Sequence, residues 1–126
     1  MIALIKRKWD DPNKHEPRYS PRWTSRGTIT KTELAAIMAR HSTYSIGEVE
    51  GQITDFAQYI LDQLLGGYTV DLQGFGKFSL YVSGKPQTDI NKVTTEGVEV
   101  RIRFKPDKML QTRLDTESKF KFVPKT

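Results

Sequence analysis

Gly74-Phe75-Gly76-Lys77-Phe78-Ser79-Leu80-Tyr81-Val82 carries the pattern from which the rest of the chain can be arranged. The glycines around Phe75 mark a tight turn, because a missing Cβ opens backbone conformations closed to other residues. Phe78, Leu80 and Val82 then alternate with Lys77, Ser79 and Tyr81, the period of a strand buried on one side. A second alternation runs from Val98 to Phe104, with Val98, Val100, Ile102 and Phe104 on one face and Glu99, Arg101 and Arg103 on the other. The two strands are expected to pair antiparallel. Between them, Ser83 to Gly97 is rich in Lys, Thr, Asn, Gly and Pro, and is expected to project into solvent.

Before the turn, Val70 and Leu72 continue the period of two, and upstream of them it becomes helical. Thr30-Lys31-Thr32-Glu33 places a hydroxyl at a helix N-cap and a Glu three residues later, so a helix is expected from Lys31 through Leu34, Ile37 and Met38 to about His41. Ser45-Ile46-Gly47-Glu48 repeats the arrangement before Val49, Ile53, Phe56, Ile60, Leu61 and Leu64, an apolar stripe ended by Gly66-Gly67 in the manner of a left-handed C-cap. After the second strand, Pro106 is expected to open a short helix with Met109, Leu110 and Leu114.

The ends read differently. Ile2 to Trp9 is strand-like, breaks at Asp10-Asp11-Pro12-Asn13, and resumes over Arg18 to Thr24, a loose hairpin or pair of edge strands. Pro12, Pro17 and Pro21 each remove a backbone donor and argue against a central strand. Lys119 to Val123 alternates again and would add a strand to the N-terminal one.

At 126 residues the chain is about one domain long, and its hydrophobic fraction of 37% is low against the usual ~45–50%, a range that also counts Gly. A thin core of this kind invites a partner chain. The net charge of +5 is unevenly placed: residues 1–26 sum to +4, residues 27–76 to −4, and residues 77–126 to +5. From that distribution one face or one end of the molecule is expected to be positive, as a phosphate-binding surface would be, although +5 alone would be unremarkable. Cysteine is absent and only His15 and His41 remain as soft ligands, so neither a disulfide framework nor a zinc enzyme is expected, and no cofactor. No run of about 18 apolar residues occurs, and Lys6-Arg7-Lys8 interrupts the apolar start, which points to a cytoplasmic protein without a membrane partner. No paired acid with a nucleophile, no phosphate-cradling glycine loop and no metal-ligand spacing is present, so no enzyme is expected.

Order of elements and residues together resemble the bacterial histone-like proteins of the HU and integration-host-factor group. Over Thr30 to Leu114, Lys31-Thr32-Glu33-Leu34 is similar to that family's opening helix, Gly74-Phe75-Gly76-Lys77-Phe78 to its Gly-Phe-Gly-x-Phe turn, and Phe104-Lys105-Pro106-Asp107-Lys108 to its Phe-Lys-Pro-Gly-Lys segment. The resemblance implies an α+β fold, an intertwined homodimer with a helical body, a small antiparallel sheet and a shortened β-arm. It divides the chain into an N-terminal basic extension (1–29), an HU-like domain (30–115, arm about 83–97) and a strand-like tail (116–126). Val49, Ile53, Phe56, Ile60, Leu64, Phe75 and Phe78 would form the dimer core.

The resemblance further implies a nucleoid protein that binds double-stranded DNA without sequence preference, through phosphates and the minor groove, and bends or compacts it. Lys77, Arg101 and Arg103, with Lys105 and Lys108, would face phosphates; Lys85, Pro86 and Lys92 would belong to the arm, with Pro86 as the wedge. Pro86 follows Phe78 by only eight residues, Asp107 replaces the family's glycine, and Asp89, Glu96 and Glu99 dilute the arm's charge, so weaker binding with a shorter footprint is expected. The alternative is a dimeric HU-like module with weak or lost DNA binding, whose terminal strands bind a protein partner. Among the remaining residues, Lys6-Arg7-Lys8 suits either phosphate contact or a charged edge strand. His41 suits a helix C-terminus and His15 solvent, while Trp9, Tyr19 and Trp23 suit packing of the extension on the body better than stacking on bases.

Overall fold

A computed structural model of the chain describes residues 1–124 and gives a mixed α+β fold in two compact units. The first unit holds residues 1–30 and 113–126, the second residues 31–112. The last two residues of the expected 116–126 tail lie outside the described residues.

In the second unit, α1 (Lys31–Ala39) and α2 (Ile46–Leu65) pack together, joined by Lys31 Nζ donating to Thr54 Oγ1 at 2.8 Å and Thr32 Oγ1 donating to Glu50 Oε1 at 3.1 Å. The expected capping box opens α2: Ser45 Oγ accepts the Glu48 N–H at 3.2 Å, and the Glu48 carboxylate reaches back to the Ser45 N–H. At the other end Gly66 keeps a right-handed conformation and Gly67, at φ 90°, is the left-handed residue. The Gly67 N–H returns to the Leu64 carbonyl at 2.9 Å and the Tyr68 N–H to that of Gln63 at 3.1 Å, the paired closure that satisfies orphan carbonyls.

The sheet of this unit has the order β3 (Val70–Leu72), β4 (Gly76–Ser83), β5 (Glu99–Pro106), all antiparallel. Pairing runs from Gly76↔Pro106 to Ser83↔Glu99. The second strand therefore begins at Glu99 rather than Val98, and Pro106 closes it instead of opening a helix. Proline tolerates a strand end because the donor it lacks is not needed there. The helix α3 (Lys108–Glu117) starts after Asp107, whose carbonyl accepts the Gln111 N–H at 3.0 Å. Residues 84–98 form a largely exposed connection whose one regular feature is a 3₁₀ turn at Ile90–Lys92, capped by Asp89 Oδ1 accepting the Asn91 N–H at 3.0 Å.

Gly74 takes φ 86°, closing the β3–β4 turn, and Gly76 is buried where its partner strand comes close. The Phe104 ring lies 5.2 Å from that of Phe75 and 4.9 Å from that of Phe78, a tilted aromatic cluster. Burial is sparse: Ala35, Val49 and Leu64 are the buried apolar residues described in this unit. Of the residues expected in the dimer core, Ile53, Ile60 and Phe78 are half-buried, whereas Phe75 is 46% and Phe56 52% exposed. Val100 and Ile102 on the apolar side of β5 are also uncovered within one chain.

The first unit is a sheet of order β2 (Pro17–Trp23), β1 (Ile2–Asp10), β6 (Phe120–Phe122). β1 pairs antiparallel with β2 from Leu4↔Trp23 to Asp10↔Pro17 and parallel with β6 from Ile2↔Phe120 to Leu4↔Phe122. A central strand thus does exist here, against expectation, because Pro17 and Pro21 sit on β2 at the edge while the proline-free β1 lies inside. β6 reaches only as far as Leu4, so Lys6-Arg7-Lys8 lies on the part of β1 beyond the β6 pairing. Tyr19 and Trp23 are exposed and share one face of this sheet, whereas Trp9, 44% exposed, lies on the other.

Candidate nucleic-acid interface

The period of two on β4 and β5 sorts charge from apolar bulk. The register sets Lys77 opposite Lys105, Ser79 opposite Arg103 and Tyr81 opposite Arg101, so Lys77, Arg101, Arg103 and Lys105 share one face. Side chains two residues apart on a strand are about 7 Å apart, which makes Arg101, Arg103 and Lys105 a row of roughly 13 Å. The Arg103 guanidinium lies 4.8 Å from the centre of the Tyr81 ring, which fixes its direction. Arg101 Nη2 meets Glu99 Oε2 at 3.4 Å, and with both side chains largely exposed this pair is screened and weak.

At the end of the row Lys77, Lys105 and Lys108 line one open hollow together with Asp71 and Asp107. Asp107 is the organiser of this corner. Its Oδ2 accepts the Gly74 N–H at 2.6 Å, and its own N–H donates to the Phe75 carbonyl at 3.0 Å. The Gly74 N–H holds the Asp107 carboxyl below its ordinary range, partial desolvation opposes this, and the Lys108 and Met109 N–H groups and the Lys77 charge act with Gly74. Asp107 therefore stays ionised beside the lysines, and it locks the turn to the start of α3.

Lys85, Pro86 and Lys92 line a second hollow, formed by the 84–98 connection with Gln87, Val93 and Glu96. The structure thus brings the expected site residues together in two groups, with Lys77, Lys105 and Lys108 in one and Lys85, Pro86 and Lys92 in the other, and the two arginines along the strand face. Three participants escaped the sequence reading: Tyr81 under Arg103, Glu99 against Arg101, and the Asp107 bond to Gly74. Alternation alone already placed Tyr81 and Glu99 on the cationic face; the Asp107 bond needed the fold. Among the described residues no group of three or more His, Asp or Glu side chains is placed to hold a metal ion, and no helix is long and apolar enough to cross a membrane.

The family described as an HU domain fused to a winged helix-turn-helix, an immunoglobulin-like or a glycine-rich motif, HU-HIG, matches residues 3–121. The chain belongs to the HU-HIG family. Among its relatives, the integration host factor β subunits of Shewanella sp. strain ANA-3 and of Shewanella halifaxensis are each 37% identical over 92 residues, covering 69% of this chain and 96% of the relative. A solved structure from Bacteroides vulgatus, described as a candidate bacterial DNA-binding protein, superposes with a TM-score of 0.69 at 10% identity. That alignment covers 97% of the HU-HIG chain and 47% of the Bacteroides chain, so this chain spans about half its length and the likeness speaks for the fold.

Proposed function

We propose that this HU-HIG protein is a non-enzymatic, architectural DNA-binding protein of the nucleoid, acting as a homodimer on duplex DNA without sequence preference. The observation that carries the reading is the single cationic face of β4 and β5, since the unit that bears it is otherwise acidic. Lys77, Arg101, Arg103 and Lys105 neutralise phosphates along that face, Lys108 extends it, and the hollow with Lys85, Pro86 and Lys92 meets the minor groove. Phosphate contact with no base-edge partner gives affinity without sequence readout. The uncovered Phe56, Val100 and Ile102 supply the surface that a second copy buries.

Titration into a random-sequence duplex across a salt series tests this. Four phosphates per protomer in a dimer give a slope of log K against log salt of roughly −7. Arg101→Gln with Arg103→Gln removes two per protomer, so the slope should shrink by about 3.6 and affinity near 0.1 M salt should fall by roughly 4,000-fold, taking 1 M salt as the reference. A double variant that folds, stays dimeric and binds as the parent does would refute the assignment.

A further inference from the structure

The positive charge of the chain resides in the terminal unit. Residues 1–30 and 113–126 carry eleven Lys and Arg against five Asp and Glu, whereas residues 31–112 carry nine against ten. Duplex binding by the β4–β5 face leaves that excess unused. The registers of the terminal sheet show where part of it sits. Lys8 is paired with Tyr19, Leu4 with both Trp23 and Phe122, and Ile2 with Phe120, so the even-numbered side chains of β1 share a face with these four rings. All four rings are more than half exposed, Tyr19 and Trp23 at 67% each. Lys6, on the same face, holds its ammonium 5.3 Å from the centre of the Phe122 ring. The opposite face contains the buried Ala3, with Ile5, Arg7 and Trp9 and, from the flanking strands, Arg18, Arg22 and Lys121, so it carries more cations but a single ring.

We propose that the face bearing Lys6, Lys8, Tyr19, Trp23, Phe120 and Phe122 binds single-stranded nucleic acid. Four rings on the outer strands beside two ammonium groups on the central one supply what unpaired strands require: flat surfaces for bases whatever their identity, and cations for the backbone. A duplex offers its bases only at their edges, so the rings find no stacking partner in it. A second copy of the same sheet is disfavoured, since each terminal unit brings the same positive excess; a polyanion removes that repulsion. The protein would then hold duplex and unpaired strands on different surfaces.

The test uses the full chain, labelled oligo-dT and oligo-rU, and a duplex of the same length. Trp9 and Trp23 are the chain's two tryptophans and lie on opposite faces of the sheet, which provides an internal reporter. Oligo-dT should quench the fluorescence of Trp9→Phe, which retains Trp23, and leave that of Trp23→Phe nearly unchanged. Tyr19→Ala with Trp23→Ala should weaken oligo-dT binding by at least about 25-fold, at roughly fivefold or more per ring, while changing duplex affinity less than twofold. Arg101→Gln with Arg103→Gln should do the converse, so failure here is distinguishable from failure of the duplex reading. Lys6→Gln with Lys8→Gln gives an independent check, lowering the salt slope for oligo-dT by about 1.4 per sheet engaged. Binding of oligo-rU is expected alongside oligo-dT, because stacking does not depend on the sugar. The proposal is overturned if neither oligonucleotide binds at low salt, if the ring variants bind as the parent does, or if Trp9 rather than Trp23 is quenched. It is equally overturned if the ring variants instead change the oligomeric state, which would make the face a protein contact.

Discussion

Adding one methyl group at Gly76 should destabilise the protein severely for a residue so small. A Cβ built there would sit 2.6 Å from the Lys105 carbonyl oxygen and 2.6 Å from Cζ of the Phe104 ring. The ring can turn, but the carbonyl belongs to the strand paired with Gly76 and moves only if β4 and β5 separate locally. Overpacking of this kind costs about 1–3 kcal/mol. With an unfolding entropy of roughly 2.1 cal/mol/K per residue, the 126-residue chain should lose about 4–11 °C in melting temperature. Thermal melts at one fixed protomer concentration read this, with Gly84→Ala as control, since a Cβ there meets Val98 at an ordinary 3.7 Å. Phe104→Leu in the Gly76→Ala background should recover only part of the loss, because the carbonyl clash remains. Equal melting temperatures for Gly76→Ala and Gly84→Ala would refute the close-approach argument.

Asp107 should make the fold acid-sensitive. Its carboxyl titrates lower in the folded chain than its ordinary 3.8, so its contribution is complete above that value and is lost as pH falls through the folded one. The melting-temperature gap between parent and Asp107→Asn should narrow as pH drops from 7 toward 2.5, and a gap independent of pH would contradict the Gly74 bond. Phe56→Asp should halve the mass seen by light scattering at micromolar concentration. At a residue truly facing solvent the change would shift stability by no more than about 0.5 kcal/mol, and an unchanged dimer would show that Phe56 does.

Local chemistry made much of the fold legible. The capping box at Ser45 and the glycines after Leu65 are satisfied within a few residues of themselves, so α2 is bounded by its own sequence. β4 and β5 declare themselves through alternation, and the same alternation exposed the cationic face. The bond from Asp107 to Gly74 spans 33 positions, and in sequence the aspartate reads only as a charge beside lysines. Lys85, Pro86 and Lys92 lie in a connection without period, where nothing in the order of residues says that they gather around one hollow. Strand alternation assigns Tyr19 and Trp23 to one face of the terminal sheet and Trp9 to the other, and does not say which face is covered.

Strand β6 pairs with Ile2, Ala3 and Leu4 from more than a hundred residues away, and that distance sets a schedule for synthesis. The β1–β2 hairpin leaves the ribosome before β6, and at 5–20 residues per second its partner follows about 5–20 s later. Throughout that interval the Ile2–Leu4 segment presents an unpaired edge in a crowded cell. The cations that follow it on β1 are then the nearest guard against pairing with a stranger, because like-charged strands align poorly. A nascent chain stalled before Phe120 should accordingly be a better chaperone client than one stalled after Val123.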